Sequence, residues 1–410
     1  MNSNYNPERP LVMHIDLNSC FATVEQQARP MLRYRPVVIV NRRTEHTMIV
    51  TASYEAKTLG ITLGMSVKEA RKLAPDLVAL ESDPPKYRYV YRKLMEIMKR
   101  YSAHITMKSI DEGIIDFHQT TQDVRDRDMV DIGYELKRAL KEEVGNWMRC
   151  NVGIAPNRFL AKTAAGLHKP DGLDVIDHTN LRDVMATLKL TDLTGIAGRN
   201  EARLNKVGIY TPIEFLDADP VTLQKMVFKS INGIYWHQRL RGWEVDDVSH
   251  DVKTVGRQYV LEAFDLSRTQ ILQRLHHLCE SVGHRMRSQD RAARGILVFA
   301  KSRERGYWHR RRMCPLPFFS NQAIYAQAAM LFAEAPDDIT KIGITCYELE
   351  ENNNDQLSLF GDQLAREQHV TDAIDEINKR FGDRTIHAAD TLGTGIYVKQ
   401  KVPFGSTRYL

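Results

Sequence analysis

Two apolar stretches, far apart in the chain, each end on carboxylates. Leu11–Leu17 (LVMHIDL) reads as a strand carrying Asp16, and Asn18 or Ser19 behind it reads as the start of a helix that ends near Pro30. Downstream, KSIDEGIIDF (Lys108–Phe117) sets Asp111 and Glu112 between the apolar segments Ile105–Ile110 and Gly113–Phe117. Neighbouring side chains on a regular strand point to opposite faces, so this pair converges only at a hairpin turn or a bulge. Gly113 offers the permissive backbone for such a distortion. Pro36–Val40 and Thr47–Ala52 read as short strands, followed by a helix-rich stretch from Tyr54 to Arg100 broken at Gly60, Gly64 and Pro84–Pro85. Asp128–Val144 carries Ile132, Leu136 and Leu140 at helical spacing, Cys150–Ala155 reads as a strand and Asn157–Leu167 as a helix. The alternation lacks the regular spacing of a doubly wound parallel sheet. It predicts an α+β domain with helices on one face of a mostly antiparallel sheet.

From Leu181 to Leu240 the pattern is all-helical with glycine-marked connections. Leu193–Ile209 (LTGIAGRNEARLNKVGI) has the form of a helix-hairpin-helix, in which Gly195 and Gly198 expose backbone N–H groups that bind phosphate. Ala197 stands where such motifs usually carry a glycine, and a plain helical turn is the alternative. Val252–Glu350 forms a second α+β unit, with strands at Val255–Leu261, Gly295–Lys301 and Lys341–Leu349 and helices at Ser267–Ser288 and Asn321–Ala335. A polar linker follows at Glu351–Asp355. Gln356–Phe360 (QLSLF) then places apolar residues in an acidic stretch, and a helix near Val370–Arg380 precedes a polar tail. No internal repeat is visible.

Composition narrows the class. A chain of 410 residues, 43% hydrophobic and 27% charged, has ordinary globular composition, with length for roughly two to four domains. Met1–Pro10 has no apolar core of a signal peptide, and apolar runs such as Ile296–Ala300 are too short to span a bilayer. The five cysteines are widely separated with no CxxC pair, so neither a zinc site nor a disulfide framework is expected, and a reducing cytoplasm fits. The net charge of +5 is unevenly spread. Between Arg285 and Arg312 ten Lys or Arg face only Asp290 and Glu304, an excess that leaves the remainder slightly acidic. One basic segment in such a chain suggests a face for a polyanion, nucleic acid above all. A solvated arginine-rich surface is the alternative. If Asp16, Asp111 and Glu112 meet, their repulsion calls for a hard divalent cation with oxygen ligands, Mg²⁺ first.

Four segments together resemble the Y-family translesion DNA polymerases, in the bacterial DinB/UmuC-like branch. HIDLNSCFATVE (His14–Glu25) resembles the first catalytic motif and TASYEAKTLGITLGM (Thr51–Met65) the finger segment. SIDEGIIDF (Ser109–Phe117) resembles the second catalytic motif, and VGIAPNRFLAKTAAGLHKPDGL (Val152–Leu173) the third. They lie in the family's order and spacing. The resemblance implies a palm at residues 1–20 and 76–180, fingers at 21–75, a helical thumb at 181–248, a little finger at 252–350, and a linker with tail at 351–410. It implies a low-fidelity polymerase without proofreading that acts on primer-template DNA and dNTPs in DNA damage tolerance of the SOS type. Asp16, Asp111 and Glu112, with the carbonyl of Leu17, would hold two Mg²⁺ ions for in-line phosphoryl transfer. Tyr54, Lys57 and Lys169 would contact the triphosphate with Thr51 and the backbone of Cys20 nearby, and Phe21 would be the steric gate against ribose. Asp116 matches a family aspartate and reads as structural.

The chain departs from the family at three of these places. Lys57 replaces an arginine and loses its planar fork. Cys20 stands where an aromatic is frequent, and Gly113 where alanine is. Arg303, Arg305, Arg310, Arg311 and Arg312 would contact duplex phosphates, which position DNA without reading sequence. QLSLF resembles the peptide by which bacterial polymerases dock on the sliding clamp, through Gln356, Leu357, Leu359 and Phe360. A monomer with no membrane association is expected. The competing readings are a catalytically inactive clamp-binding scaffold, against which the intact carboxylate trio argues, and a nucleotide cyclase, for which no GGDEF-type signature appears.

Overall fold

The structure, a computed structural model, describes residues 5–248, 251–263, 265–352 and 362–399. These fall into two compact units, one ending at Val248 and one after it. The first unit begins with β1 (Val12–Leu17), α1 (Cys20–Ala28), β2 (Val37–Val40), β3 (Ile49–Ala52), α2 (Tyr54–Thr58), α3 (Val67–Leu73), β4 (Val78–Glu81) and α4 (Pro84–Lys99). It continues with the hairpin β5 (Ile105–Met107) and β6 (Glu112–Asp116), then α5 (Gln122–Arg125), α6 (Met129–Glu143), β7 (Cys150–Ala155), α7 (Arg158–Leu167) and β8 (Leu173–Val175). The helices α8 (Leu181–Thr187), α9 (Gly198–Asn205), α10 (Pro212–Asp217), α11 (Pro220–Thr222) and α12 (Asn232–Leu240) complete it.

The main sheet has the order β5-β6-β1-β7-β8 and is antiparallel except for the β7–β8 pair. Met13, Ile15 and Leu17 pack on one side with Val24, Leu94, Ile132 and Leu136 from α1, α4 and α6. Val12 and Ile114 pack on the other with Phe159 and Leu160 of α7, in a core that runs on into α8–α12. Helices therefore cover both faces, not the one expected. The reason is visible in β1: a strand buried on both sides carries a continuous apolar run instead of alternation. Gly153 brings α7 close, since a Cβ there would lie 2.0 Å from the Ala161 carbonyl oxygen.

A smaller sheet, β3-β2-β4, has its own core of Val38, Val40, Ile49, Ala56 and Val67. Two expectations change here. Strand β4 was expected as helix, and it completes this sheet beyond residue 75, the boundary expected for the fingers, whereas α1 packs in the main core. Pro84–Pro85 opens α4 instead of breaking a helix, because prolines fit a first turn and Asp83 caps it through Lys86 N at 3.4 Å. The first helix expected before Gly195 is a single 3₁₀ turn, Leu190–Asp192.

The second unit contains β9 (Thr254–Val260), α13 (Arg268–Arg287), β10 (Arg291–Ser302), β11 (Tyr307–Phe318), α14 (Asn321–Phe332), β12 (Ile339–Glu351) and α15 (Asp362–Phe381). Its antiparallel sheet has the order β11-β10-β12-β9, with α13 and α14 packed on Ile296, Val298, Ile342 and Ile344. Strand β11 is unforeseen because three successive arginines and two prolines read as loop. An edge strand tolerates both, since one side of its backbone pairs with nothing. Nor is the segment after α15 a free polar tail. Arg384 pairs with Glu280 of α13, His276 Nδ1 lies 2.9 Å from Asp390 and His277 Nδ1 2.8 Å from Thr394, and Val398 is buried in the core. Gln356–Phe360 lies outside the described residues.

Candidate active site

Register places the carboxylates. Asp16 of β1 stands opposite Glu112, the first residue of β6, and Leu17 N donates to the Asp111 carbonyl at 2.9 Å. Residues 108–111 close the hairpin, with Lys108 N donating to the Glu112 carbonyl at 3.0 Å. Asp111 thus sits in a turn, outside the strand alternation that Glu112 follows. Gly113 does not supply the distortion. It lies within β6 at an ordinary φ, and its missing side chain makes room for Met107 Sδ, which a Cβ would approach to 2.7 Å, and for Met98.

Each carboxylate has a partner within the chain. Lys169 Nζ pairs with Asp16 Oδ2, Ser109 Oγ donates to Asp111, and Lys162 Nζ of α7 lies 2.6 Å from Glu112 Oε2. His14 Nε2 is 3.3 Å from the same oxygen, although neither ring nitrogen completes a well-formed hydrogen bond among the described residues. Burial pushes the Asp111 carboxyl above its ordinary value and the charges of Asp16 and Glu112 add to it, against the Ser109 hydrogen bond. Burial would raise Glu112 as well, but its contacts with His14 and Lys162 outweigh this and hold it at about 2. Among the described residues no three His, Cys, Asp or Glu side chains are grouped as a ready ligand set, and each of these carboxylates is engaged by a lysine or by Ser109. The donor chemistry still suits a hard divalent ion: three carboxylates and a backbone carbonyl at one strand end, with Asp111 raised by negative neighbours that a cation would offset.

The nucleotide candidates gather beside this group. Ser19 occupies the N-cap position of α1 in the left-handed region, φ 45°, but its side chain does not cap the helix. Its hydroxyl accepts instead from Lys57 Nζ at 2.8 Å, which leaves the first-turn amides, Cys20 among them, without a side-chain cap. Lys57 Nζ also lies 4.7 Å from the Tyr54 ring centroid. Burial lowers the Lys57 pKa and the Lys169 charge lowers it further, so two cations crowd one another next to Asp16. Tyr54 is pushed up to about 12 by burial and by the Asp16 charge. Thr51 lies on β3 opposite Ile39. Phe21 is 2% exposed and stacked on Tyr87, with centroids 4.2 Å apart and planes at 11°. Asp116 supports the fold: it accepts from His118 N at 3.0 Å and lies 3.4 Å from Arg158 Nη2.

Sequence reasoning passed over Lys162 and His14. Their signals were a lysine in an otherwise apolar stretch of α7 and a histidine at strand spacing from Asp16. Gly195 adopts φ +97° against the Trp236 ring, and Gly198 opens α9, whose cap residue Ala197 provides no side-chain bond. In the second unit Arg310, Arg311 and Arg312 pair with Val298, Leu297 and Ile296, so they alternate between faces. Arg310 reaches Glu334 at 2.7 Å and Arg312 lies 3.2 Å from Met330 Sδ, both on the helical side. Arg311 takes the opposite, open face, which it shares with Lys301 and Lys341. Arg303 and Arg305 belong to the β10–β11 turn, where Arg305 N donates to Ser302 Oγ at 2.8 Å.

Two sequence profiles match: the impB/mucB/samB family over residues 15–166 and the impB/mucB/samB family C-terminal domain over residues 252–359. DNA polymerase IV of Moorella thermoacetica is 34% identical over 397 residues, covering 94% of this chain and 97% of that protein. DNA polymerase IV 1 of Bacillus subtilis is 26% identical over 392 residues, covering 93% of each chain. A solved Y-family DNA polymerase chimera superimposes with a TM-score of 0.70 at 23% identity, covering 83% of this chain and 99% of its own. Among the described residues no helix is long and apolar enough to cross a membrane. With family, near-full-length relatives and fold in agreement, the chain belongs to the impB/mucB/samB family of bacterial Y-family DNA polymerases, enzymes of translesion synthesis.

Proposed function

We propose that Asp16, Asp111 and Glu112, with the Leu17 carbonyl, form the catalytic centre for adding dNMPs to a primer 3′ end, holding two Mg²⁺ ions. When bound, such ions activate the 3′-hydroxyl and offset charge on the leaving pyrophosphate. The chain's own groups do the rest. Lys57, Lys169 and the Tyr54 hydroxyl take the triphosphate, and the uncapped amides at Cys20 offer it further donors. Lys169 and Lys162 pair with Asp16 and Glu112 and so balance their charge, and Lys169 would be free to turn to the triphosphate where a cation took its place at Asp16. Phe21, held rigid by Tyr87, shapes the sugar pocket, a role that rests on its place in the motif.

The reading is carried by one observation: Asp16 stands opposite Glu112 with Asp111 in the adjoining turn, close enough for the charges of Asp16 and Glu112 to raise the Asp111 carboxyl, while Lys57 and Lys169 crowd each other beside Asp16. Primer extension with Mg²⁺ tests it. Asp111→Ala and Glu112→Ala abolish nucleotide addition while the fold survives, and extension within tenfold of the parent overturns the assignment. DNA is gripped by the phosphate-binding turn at Gly195 and Gly198 and by the open sheet face bearing Lys301, Arg311 and Lys341, with Arg303 and Arg305 at its rim. The segments serve as palm, fingers, thumb and little finger, in a monomeric cytoplasmic enzyme. One solved neighbour, an insertion ternary complex of a polymerase with TM-score 0.56, accords with substrates of this kind. Gln356, Leu357, Leu359 and Phe360 dock on the sliding clamp, a reading that rests on the QLSLF sequence. Leu359→Ala with Phe360→Ala leaves clamp-free extension intact and removes stimulation by loaded clamp.

A further inference from the structure

Arg149 immediately precedes β7, and its carbonyl accepts from Asn18 N at 2.9 Å. That bond ties it to the turn between β1 and α1, where Ser19 receives Lys57. Met148, Cys150 and Val152 point into the core, so Arg149 and Asn151 leave from the other face, and Asn151 stands opposite Asp16. The guanidinium is half-buried and lies 5.1 Å from the Trp147 ring centroid, with Arg33 at 5.1 Å from the same ring. Trp147 is itself anchored: its Nε1 donates to Gln26 Oε1 at 3.2 Å and its backbone N to Gln27 Oε1 at 2.8 Å. A planar cation on an anchored aromatic is oriented before anything binds, which lowers the ordering cost of using it. Among the described residues Arg149 has no carboxylate partner, whereas nearby Lys169 is paired with Asp16. Its charge nevertheless reaches the site, where it counters the effects of burial and Asp16 on the Tyr54 phenol.

We propose that Arg149 is a third cation of the nucleotide site, contacting the outer phosphates of an incoming nucleoside triphosphate and the pyrophosphate that leaves. The proposal rests on the reading of Tyr54, Lys57 and Lys169 as the triphosphate contacts. It gives chemical sense to Lys57, a point charge without a fork: a guanidinium able to grip phosphate with two parallel hydrogen bonds enters from β7 instead of from α2. Arg149 touches neither the attacking oxygen nor the α-phosphorus. It compensates charge on the part of the substrate that departs, so it acts on nucleotide and pyrophosphate affinity more than on the chemical step.

The test compares Arg149→Ala, Arg149→Lys, Lys57→Ala and Lys169→Ala in the full chain. Measured are the dNTP Kd on a dideoxy-terminated primer-template, KM and kcat for single insertion, KM for pyrophosphate in the reverse reaction, the DNA Kd and the Tm. Arg149→Ala is expected to weaken dNTP binding and pyrophosphate KM by about tenfold each, with kcat within a few-fold and DNA Kd and Tm unchanged, and Arg149→Lys to recover part of the loss. If Arg149→Ala leaves both affinities within twofold while Lys57→Ala and Lys169→Ala raise them, Arg149 is a surface cation and the proposal falls. If none of the variants changes dNTP affinity, the nucleotide-site reading beneath it falls. A loss confined to Tm and DNA Kd makes Arg149 structural and likewise overturns the proposal.

Discussion

The two large sheets of this chain place charge in opposite ways. In β5-β6-β1-β7-β8 both faces are covered by helices, and the charges proposed for catalysis are acidic, few and placed where β1 meets the β5–β6 turn. In β11-β10-β12-β9 helices cover one face, and the charges proposed to grip DNA are basic and spread over the other. A covered sheet excludes water at its centre, so only strand ends can present polar groups, and each charge there strongly perturbs its neighbours. An open face spreads many weakly coupled charges over a broad area, which suits a long polyanion held without sequence readout. On the proposed function, chemistry belongs to the first arrangement and grip to the second.

The sharpest way to break this contrast is a single substitution at each site. Asp16→Asn is expected to lower single-nucleotide insertion by on the order of 10³-fold, with primer-template affinity near the parent's. An equal loss from any one substitution on the open basic face would erase the distinction. Phe21→Ala comes next. It deletes a ring buried in the main core, so a stability loss of about 3–5 kcal/mol is expected in denaturant unfolding. The ratio of kcat/KM for ribo- over deoxyribonucleotides rises alongside, and an unchanged ratio with lowered stability reduces Phe21 to packing.

Acid acts on the second unit through a buried histidine. Burial, with the charges of Arg384 and Arg257 adding, holds His277 at about 3, far below its ordinary 6.5. Unfolded chain therefore binds a proton that the folded chain refuses. Stability falls as pH drops below about 6.5, at on the order of 1.4 kcal/mol per unit for this one group. Asp375, which Arg287 and His284 hold at about 2 against its burial, stabilises above its ordinary value of 3.8 and loses that contribution only in stronger acid. His284 is raised by Asp375 and works the other way, its contribution fading as pH climbs through its folded value. Thermal melts of His277→Gln between pH 7 and 5 are expected to be flatter than the parent's, and parallel curves would remove His277 from the account. The smallest effect separates the arginines of β11. Arg311→Ala is expected to reduce the log–log salt slope of DNA binding by about one unit, and Arg310→Ala or Arg312→Ala by clearly less. Equal slopes for all three would mean that the alternation of β11 does not govern contact.

Much was legible in the sequence because it was local. The apolar run ending at Asp16, the Asp111–Glu112 pair flanked by strand residues, the helical spacing of Ile132, Leu136 and Leu140, and four ordered motifs are all readable within short windows, and the structure makes the first a strand, the second a turn running into a strand and the third a helix. What failed was decided by neighbours distant in the chain. β4 is a strand because it finds β2, and β11 because β10 offers it an edge, although arginines and prolines argue locally against both pairing and burial. Gly113 looked like a hinge and is instead clearance for two methionines, one of them on α4. The segment after α15 read as a polar tail because many of its partners lie far away in the chain, on α13 and β9. Lys162 and His14 lie inside the quoted motifs but gave no local sign of a role, and Arg149 lies outside them. They reach the site because α7, β1 and β7 cross the same strand end, and proximity of that kind is set by packing of elements, which single-chain periodicity does not encode.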